Sequence, residues 1–144
     1  MRGAALTRRV GFAATHRYHR PDWDEARNRE VFGTCAAREP HGHEYTCDVT
    51  VAGAIDPTTG MVVDLALLDS VLDAAVVRTL GGRSLNDALP ECAPGGVIPT
   101  CEEVARLIAI RVGHALAAAG AAAMVRAVRL AEDDTLSATW TSEA

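Results

Sequence analysis

The chain has 144 residues, a formal net charge of −5, 49% hydrophobic and 23% charged residues. That length suits one domain, expected to span residues 1–144, and the balance of apolar to charged residues excludes a disordered chain. The acidic charge argues against a nucleic-acid footprint, although all 14 basic residues are arginine. Residues 6–14 are apolar between charges and predict a strand. Residues 17–40 are polar, hold Pro21, Asn28 and Gly33, and predict a long excursion. Residues 45–52 alternate, with Tyr45, Cys47, Val49 and Val51 against Thr46, Asp48 and Thr50, the period of a half-buried strand. A turn cluster at 56–60 leads to Leu65, Leu68, Leu72, Val76 and Leu80, whose spacing predicts an amphipathic helix over 65–79. Asp64 is placed to cap it and Gly81-Gly82 to stop it. A loop over 83–99 follows. Thr100 with Glu103 forms a capping box for a second helix running to Gly120. Segments 125–130 and 136–141 predict a closing hairpin. The order strand, strand, helix, helix, strand, strand is an α+β pattern, with two helices on one face of a four-stranded antiparallel sheet.

Aromatic residues make up only 4%, so the core must be built from Ala, Val and Leu, each burying less area. Burial against other subunits is therefore expected. No run approaches about 20 apolar residues, so no membrane span is expected. Arg2, Arg8 and Arg9 are followed by no long apolar run. The start is thus not expected to act as a signal peptide, and the expected location is cytoplasmic, where four cysteines are thiols, ligands or nucleophiles.

His41-Gly42-His43 opens the second strand, and residues i and i+2 of a strand point to one face. His16 follows the first strand, which can pair with the second. Three histidines on neighbouring strands suit a catalytic zinc with an open position, or else are structural or incidental. Cys35 lies six residues before His41. Near a dication its thiol has a depressed pKa and can serve as base or nucleophile; otherwise it is a small inert core residue. Cys47 falls on the apolar side of its strand, and Cys92 and Cys101 lie in or beside the loop before the second helix. His19 reads as a spare polar group and His114 as a surface or packing residue. Glu132 follows an apolar strand, either to grip a guanidine-like edge with two parallel hydrogen bonds or as a solvated turn acid beside Asp133 and Asp134.

Taken in order, Phe12-Ala13-Ala14-Thr15-His16-Arg17, Asn28, Phe32-Gly33-Thr34-Cys35, His41-Gly42-His43-Glu44-Tyr45, Gly60-Met61-Val62-Val63-Asp64-Leu65, Leu85-Asn86, Pro99-Thr100-Cys101-Glu102 and Glu132 resemble the 6-pyruvoyl-tetrahydropterin synthase and 6-carboxy-tetrahydropterin synthase family. The five residues between Cys35 and His41 look more like the pyruvoyl branch. The resemblance implies the tunnelling fold, with sheets of several subunits joined into a barrel as trimers or hexamers. It implies zinc held by His16, His41 and His43, Cys35 as catalytic base, and Glu132 with Thr100 as substrate-binding residues. Arg17 or Arg83 is placed to meet phosphate.

The implied activity is that of a zinc-dependent carbon–oxygen lyase on dihydroneopterin triphosphate or a related pterin or purine-derived substrate, by triphosphate elimination or side-chain cleavage. Nucleic acid and membrane are not expected partners. The family's usual Asp-His pair, a second proton-handling group, is replaced by Gly81-Gly82; its usual Asn and Thr are replaced by Glu44 and Asp133. These departures leave two alternatives open: a different lyase or cyclisation step in a specialised pathway, or an inactive zinc- and pterin-binding module.

Overall fold

The computed structural model describes residues 2–143; Met1 and Ala144, the end points of the expected domain, lie outside the described residues. Two 14-residue strands, β1 (Gly3–His16) and β2 (His41–Ala54), form the centre of the fold. They pair antiparallel without a break from Gly3↔Ala54 to His16↔His41. β4 (Met124–Ala131) pairs antiparallel with β2, with a register shift between Thr50 and Val51, and β5 (Ser137–Thr141) pairs with β4. These are the four antiparallel strands expected. A fifth strand corrects the count: β3 (Arg83–Ser84), inside the expected loop, runs parallel to β1 at Ala14 and Thr15. The sheet order is β3-β1-β2-β4-β5.

Both central strands extend beyond their apolar alternation. The pattern fades at 15 and before 45 because polar residues take over the core-facing positions there, while backbone pairing continues to His16 and His41. One face of the sheet presents Phe12, Ala14, Tyr45, Cys47, Val49, Val51, Val128 and Leu130, all buried. The other is polar, with Arg9 Nε donating to Asp48 at 2.7 Å and the Thr7 and Thr50 hydroxyls 2.7 Å apart.

Helices cover the apolar face. α2 (Leu65–Leu72) starts at Asp64, whose carboxylate accepts from the Ala66 N–H at 2.9 Å. The expected single regular helix is instead interrupted by a π-helical turn (Asp73–Val77) before α3 (Arg78–Leu80). Its apolar stripe survives, since Leu68, Leu72, Val76 and Leu80 are fully buried. α4 (Leu85–Ala88) and a 3-10 turn (Pro90–Cys92) occupy the connection to α5 (Cys101–Ala118). Thr100 caps α5, accepting from the Glu103 N–H at 3.2 Å. Only half of the expected capping box forms: the Glu103 carboxylate pairs with Arg106, and the Thr100 N–H donates to the Ile98 carbonyl.

The polar excursion is not bare loop. It folds into α1 (Glu25–Phe32), capped by Asp24, and a 3-10 turn (Gly33–Ala36). α1 has no apolar stripe to betray it; seven of its eight residues are charged, polar, alanine or exposed valine, and it is tied down by the buried Asn28. That side chain accepts from the Arg20 N–H at 2.8 Å and donates to the Arg20 carbonyl at 3.0 Å. Among the described residues, no helix is long and apolar enough to cross a membrane.

Candidate active site

The β1–β2 register decides what lies at the end of the core face. His16 is the cross-strand partner of His41, Ala14 of His43 and Phe12 of Tyr45. Facing residues and their i+2 neighbours share a side, so His16, His41 and His43 continue the stripe that Tyr45, Cys47 and Val49 begin. Where the stripe leaves the apolar centre it becomes imidazole. The ring centroids of His16 and His43 lie 4.9 Å apart, those of His16 and His41 5.9 Å, and those of His41 and His43 6.4 Å.

His16 is 1% exposed, and its Nδ1 sits 2.7 Å from the Tyr45 hydroxyl. That bond orients the ring and leaves Nε2 toward the cluster, the usual way a second layer of residues fixes a metal-binding histidine. Burial first, then the charges of His43 and His41, push the His16 pKa down to about 4. His16 is therefore neutral near pH 7, the form that donates a lone pair.

Two segments outside the central strands complete the cluster. The excursion returns Cys35, whose Sγ lies 3.8 Å from His16 Nε2. It is held there by the Tyr18 N–H donating to the Cys35 carbonyl at 2.8 Å and by Arg17 Nε donating to the Ala36 carbonyl at 3.2 Å. Asn86 of α4 clamps the start of the same segment through the Arg17 N–H and carbonyl, at 2.8 and 2.9 Å. The β4–β5 turn supplies Glu132. Asp133 organises that turn by accepting from the Thr135 and Leu136 N–H groups and the Thr135 hydroxyl, and Glu132 points inward, buried. The solvated-acid reading of Glu132 does not hold.

Glu132 Oε2 lies 2.7 Å from His43 Nε2, yet the pair is not aligned as a hydrogen bond and that buried nitrogen has no hydrogen-bond partner. Donor atoms of His16, His43 and Glu132 all fall within 4.8 Å of one another. His41 is on the same face, half-buried, and outside this tightest group. Two imidazole nitrogens, one orphaned and the other on a ring oriented by a tyrosine, with a third imidazole on the same face, fit a divalent cation such as zinc.

The protein groups raise the pKa of the thiols at the site. Burial first, then the Glu132 charge, raise the Cys35 pKa. The depression expected from sequence thus depends on a dication and is opposed by the protein groups. Cys101, at the start of α5, has Sγ 4.0 Å from Glu132 Oε1, and burial followed by the Glu132 charge push it up to about 12. Thr100 stands next to it as the α5 cap. All four cysteines are free, with Cys47 and Cys92 buried elsewhere in the core.

Sequence reasoning missed Tyr18. Its ring stacks on His16 at 4.6 Å and meets Phe32 edge-on at 6.0 Å. An aromatic residue two places after His16 was the available signal. Arg17 and Arg83 line different clefts, of about 270 and 410 Å3 respectively. His19 shares the cleft of Arg17, and His114 is exposed on α5.

The Gly81-Gly82 corner is built for glycine. The Gly81 N–H donates to the Val77 carbonyl, and a Cβ there would stand 2.5 Å from that oxygen. Gly82 has φ +72° and donates to the Ala13 carbonyl at 2.7 Å. Only glycine adopts such a φ without cost. The corner ties the helix end to β1 and brings no side chain to the cluster.

The family model for 6-pyruvoyl tetrahydropterin synthase matches residues 5–143. The 6-pyruvoyl tetrahydrobiopterin synthase of Drosophila melanogaster is 42% identical over 83 residues, 58% of this chain and 49% of that protein. The match thus spans about half the length of the fly relative. The Homo sapiens 6-pyruvoyl tetrahydrobiopterin synthase is 38% identical over 102 residues, 71% of this chain and 69% of that protein. The solved structure of Caenorhabditis elegans 6-pyruvoyl tetrahydropterin synthase superposes with a TM-score of 0.88 at 27% identity, covering 99% of this chain and 98% of that one.

Proposed function

The chain belongs to the 6-pyruvoyl tetrahydropterin synthase family, and from that premise we propose that it is a zinc-dependent carbon–oxygen lyase acting on dihydroneopterin triphosphate or a closely related pterin. The observation that carries this reading is the convergence of Cys35, His16, His43 and Glu132 at one end of the core face.

In this reading His16, His41 and His43 hold the metal, and Cys35 and Glu132 work on the substrate. When bound, zinc supplies a Lewis acid that makes a C–H beside a substrate side-chain oxygen easier to deprotonate. Glu132 accepts two parallel hydrogen bonds from the aminopyrimidinone edge, and Thr100 borders the same edge. The contact of Glu132 with His43 is the one the substrate edge replaces. Cys35 takes the proton as thiolate, the form a neighbouring dication favours and burial opposes. Removal of that proton lets triphosphate leave from the adjacent carbon. The glycine corner offers no second proton-handling side chain, so the reading gives proton transfer to Cys35 and favours a reaction with few transfers. A trimer or hexamer located in the cytoplasm, with subunits joined at their sheet edges, belongs to the same proposal.

The test is incubation of the zinc-loaded protein with dihydroneopterin triphosphate and with its dephosphorylated form, with products read by mass spectrometry. Elimination appears as loss of triphosphate, and side-chain cleavage as a shortened pterin. Cys35→Ala is expected to slow turnover by about 10²–10⁴-fold. Absence of product from both compounds, or a Cys35→Ala protein as fast as the parent, overturns the reading.

A further inference from the structure

The Cys35 thiol sits on a segment with little apolar burial to hold it. The 3-10 turn Gly33–Ala36 that carries it has no buried residue, and α1 before it buries only Asn28. Between them Gly33 has φ +61°, and a Cβ there would meet nothing within 4 Å. Such a residue leaves the turn free to pivot. The far end of the turn is fastened by the Tyr18 N–H on the Cys35 carbonyl and by Arg17 Nε on the Ala36 carbonyl. Its near end starts from Phe32, the residue before the pivot. A proton acceptor has to stay in reach of its target, and a displacement of about 1 Å can cost 10²-fold in rate.

Phe32 is held by aromatic rings. The chain has only two Trp, two Tyr and two Phe, yet Tyr18, Trp23 and Phe32 all fall in the polar excursion. The Phe32 ring meets Tyr18 edge-on at 6.0 Å and stacks on Trp23 at 5.7 Å, with 17° between the planes. Both are favoured aromatic arrangements. Tyr18 stacks in turn on His16 at 4.6 Å. A column of rings therefore runs from His16 through Tyr18 and Phe32 to Trp23. Its outer end is half-buried and fixed by contacts of its own. The Trp23 N–H donates to the Arg20 carbonyl at 3.2 Å, and the Trp23 carbonyl accepts from Nδ2 of the buried Asn28 at 3.3 Å. The Arg27 guanidinium lies over the Trp23 ring at 4.0 Å, a cation–π contact. Trp23 is thus a fixed wall for Phe32 to rest on.

We infer that Trp23 is a positioning residue, whose ring braces Phe32 and through it holds the Cys35 turn against His16. This rests on the reading of Cys35 as base. Trp23 stands two rings away from His16 and acts through its neighbours alone. Removing the brace loosens the thiol and leaves the histidines and Glu132, which sit on β1, β2 and the β4–β5 turn, where they are.

The experiment compares the parent with Trp23→Leu, which keeps apolar bulk without a ring, and Trp23→Phe, which keeps a ring. Two readouts are taken: kcat and KM of the zinc-loaded protein on dihydroneopterin triphosphate, and alkylation of each cysteine of the metal-free protein by iodoacetamide, mapped by mass spectrometry. Trp23→Leu is expected to lower kcat about tenfold with KM and zinc content at parent values. Its Cys35 should be alkylated about three- to tenfold faster, while the buried Cys47, Cys92 and Cys101 stay as slow as in the parent. Trp23→Phe should restore both. Should Trp23→Leu fail to fold, Phe32→Leu, which removes the braced ring itself, carries the same expectations. An unchanged kcat and Cys35 rate, a rise in KM alone, faster alkylation of all four cysteines alike, or a Trp23→Phe as impaired as Trp23→Leu overturns the inference. If the parent turns over nothing, or Cys35→Ala is as fast as the parent, the reading of Cys35 as base falls instead. The alkylation contrast then still decides whether Trp23 holds the thiol in place.

Discussion

The middle of the β1–β2 core face and its histidine-bearing end are made by the same two strands, with the same register and the same alternation. In the middle, Cys47, Val49 and Val51 are fully buried in the same core as Leu68, Leu72 and Val76. At the end, the same positions carry His16, His41 and His43 and are closed over by segments from elsewhere: Cys35 from the excursion and Glu132 from the last turn. The middle is apolar and self-sufficient. The end is polar, and its groups are held by one another rather than by area buried. The difference teaches that a paired strand need not be apolar to its tip. Cross-strand hydrogen bonds and the anchored centre extend the sheet far enough to place imidazoles where water is scarce.

That contrast can be broken from the middle outward. Leu72→Ala leaves a hole beneath α2 and is expected to cost about 2–5 kcal/mol, read by urea unfolding. The folded fraction should bind zinc with unchanged affinity, because the hole does not touch the cluster. A comparable loss of zinc affinity would mean that the two regions are one unit.

Mild acid acts on the histidine-bearing end. The His16 pKa is about 4 in the folded protein against an ordinary 6.5. The unfolded chain therefore binds a proton more readily, and stability present above pH 6.5 is lost as pH falls toward 4. For the metal-free protein the loss between pH 7 and 5 is about 2 kcal/mol. Replacing His16 by Gln should flatten that part of the curve. An unaltered slope in His16→Gln would assign the acid sensitivity elsewhere.

The smallest effect sharpens the boundary between the regions. Tyr45 belongs to both, since its ring stacks on Phe12 at 5.1 Å and its hydroxyl orients His16. Tyr45→Phe keeps the stack and removes the orienting bond. It is expected to lower zinc affinity about tenfold in a competition with a coloured chelator. A variant that held zinc as tightly as the parent would show that His16 needs no orienting partner.

Much of this architecture was legible in the residues. Alternation over 45–52, the 3–4 spacing from Leu65 to Leu80, and the caps at Asp64 and Thr100 are local signals, because each depends on neighbours within one or two turns. The π-helical turn at Asp73–Val77 was not legible, since the stripe of buried residues passes through it unbroken. α1 was hidden because its stability comes from Asn28 gripping the Arg20 backbone and not from an apolar face. β3 is two residues long, and only its pairing partner on β1 makes it a strand.

The sequence by itself determined the alternation that puts His41 and His43 on one side of a strand, the helix stripes, the glycines at 81 and 82, and the resemblance that their order carries. Tertiary structure alone decided that His16 faces His41, that Cys35 returns to within reach of His16 Nε2, that Glu132 turns inward onto His43, and that Tyr18 lies over the cluster. The physical reason is separation along the chain. Cys35 is 19 residues from His16 and Glu132 is far beyond both, so no local rule links them. Strand register, an asparagine clamp and an aspartate-organised turn bring them together.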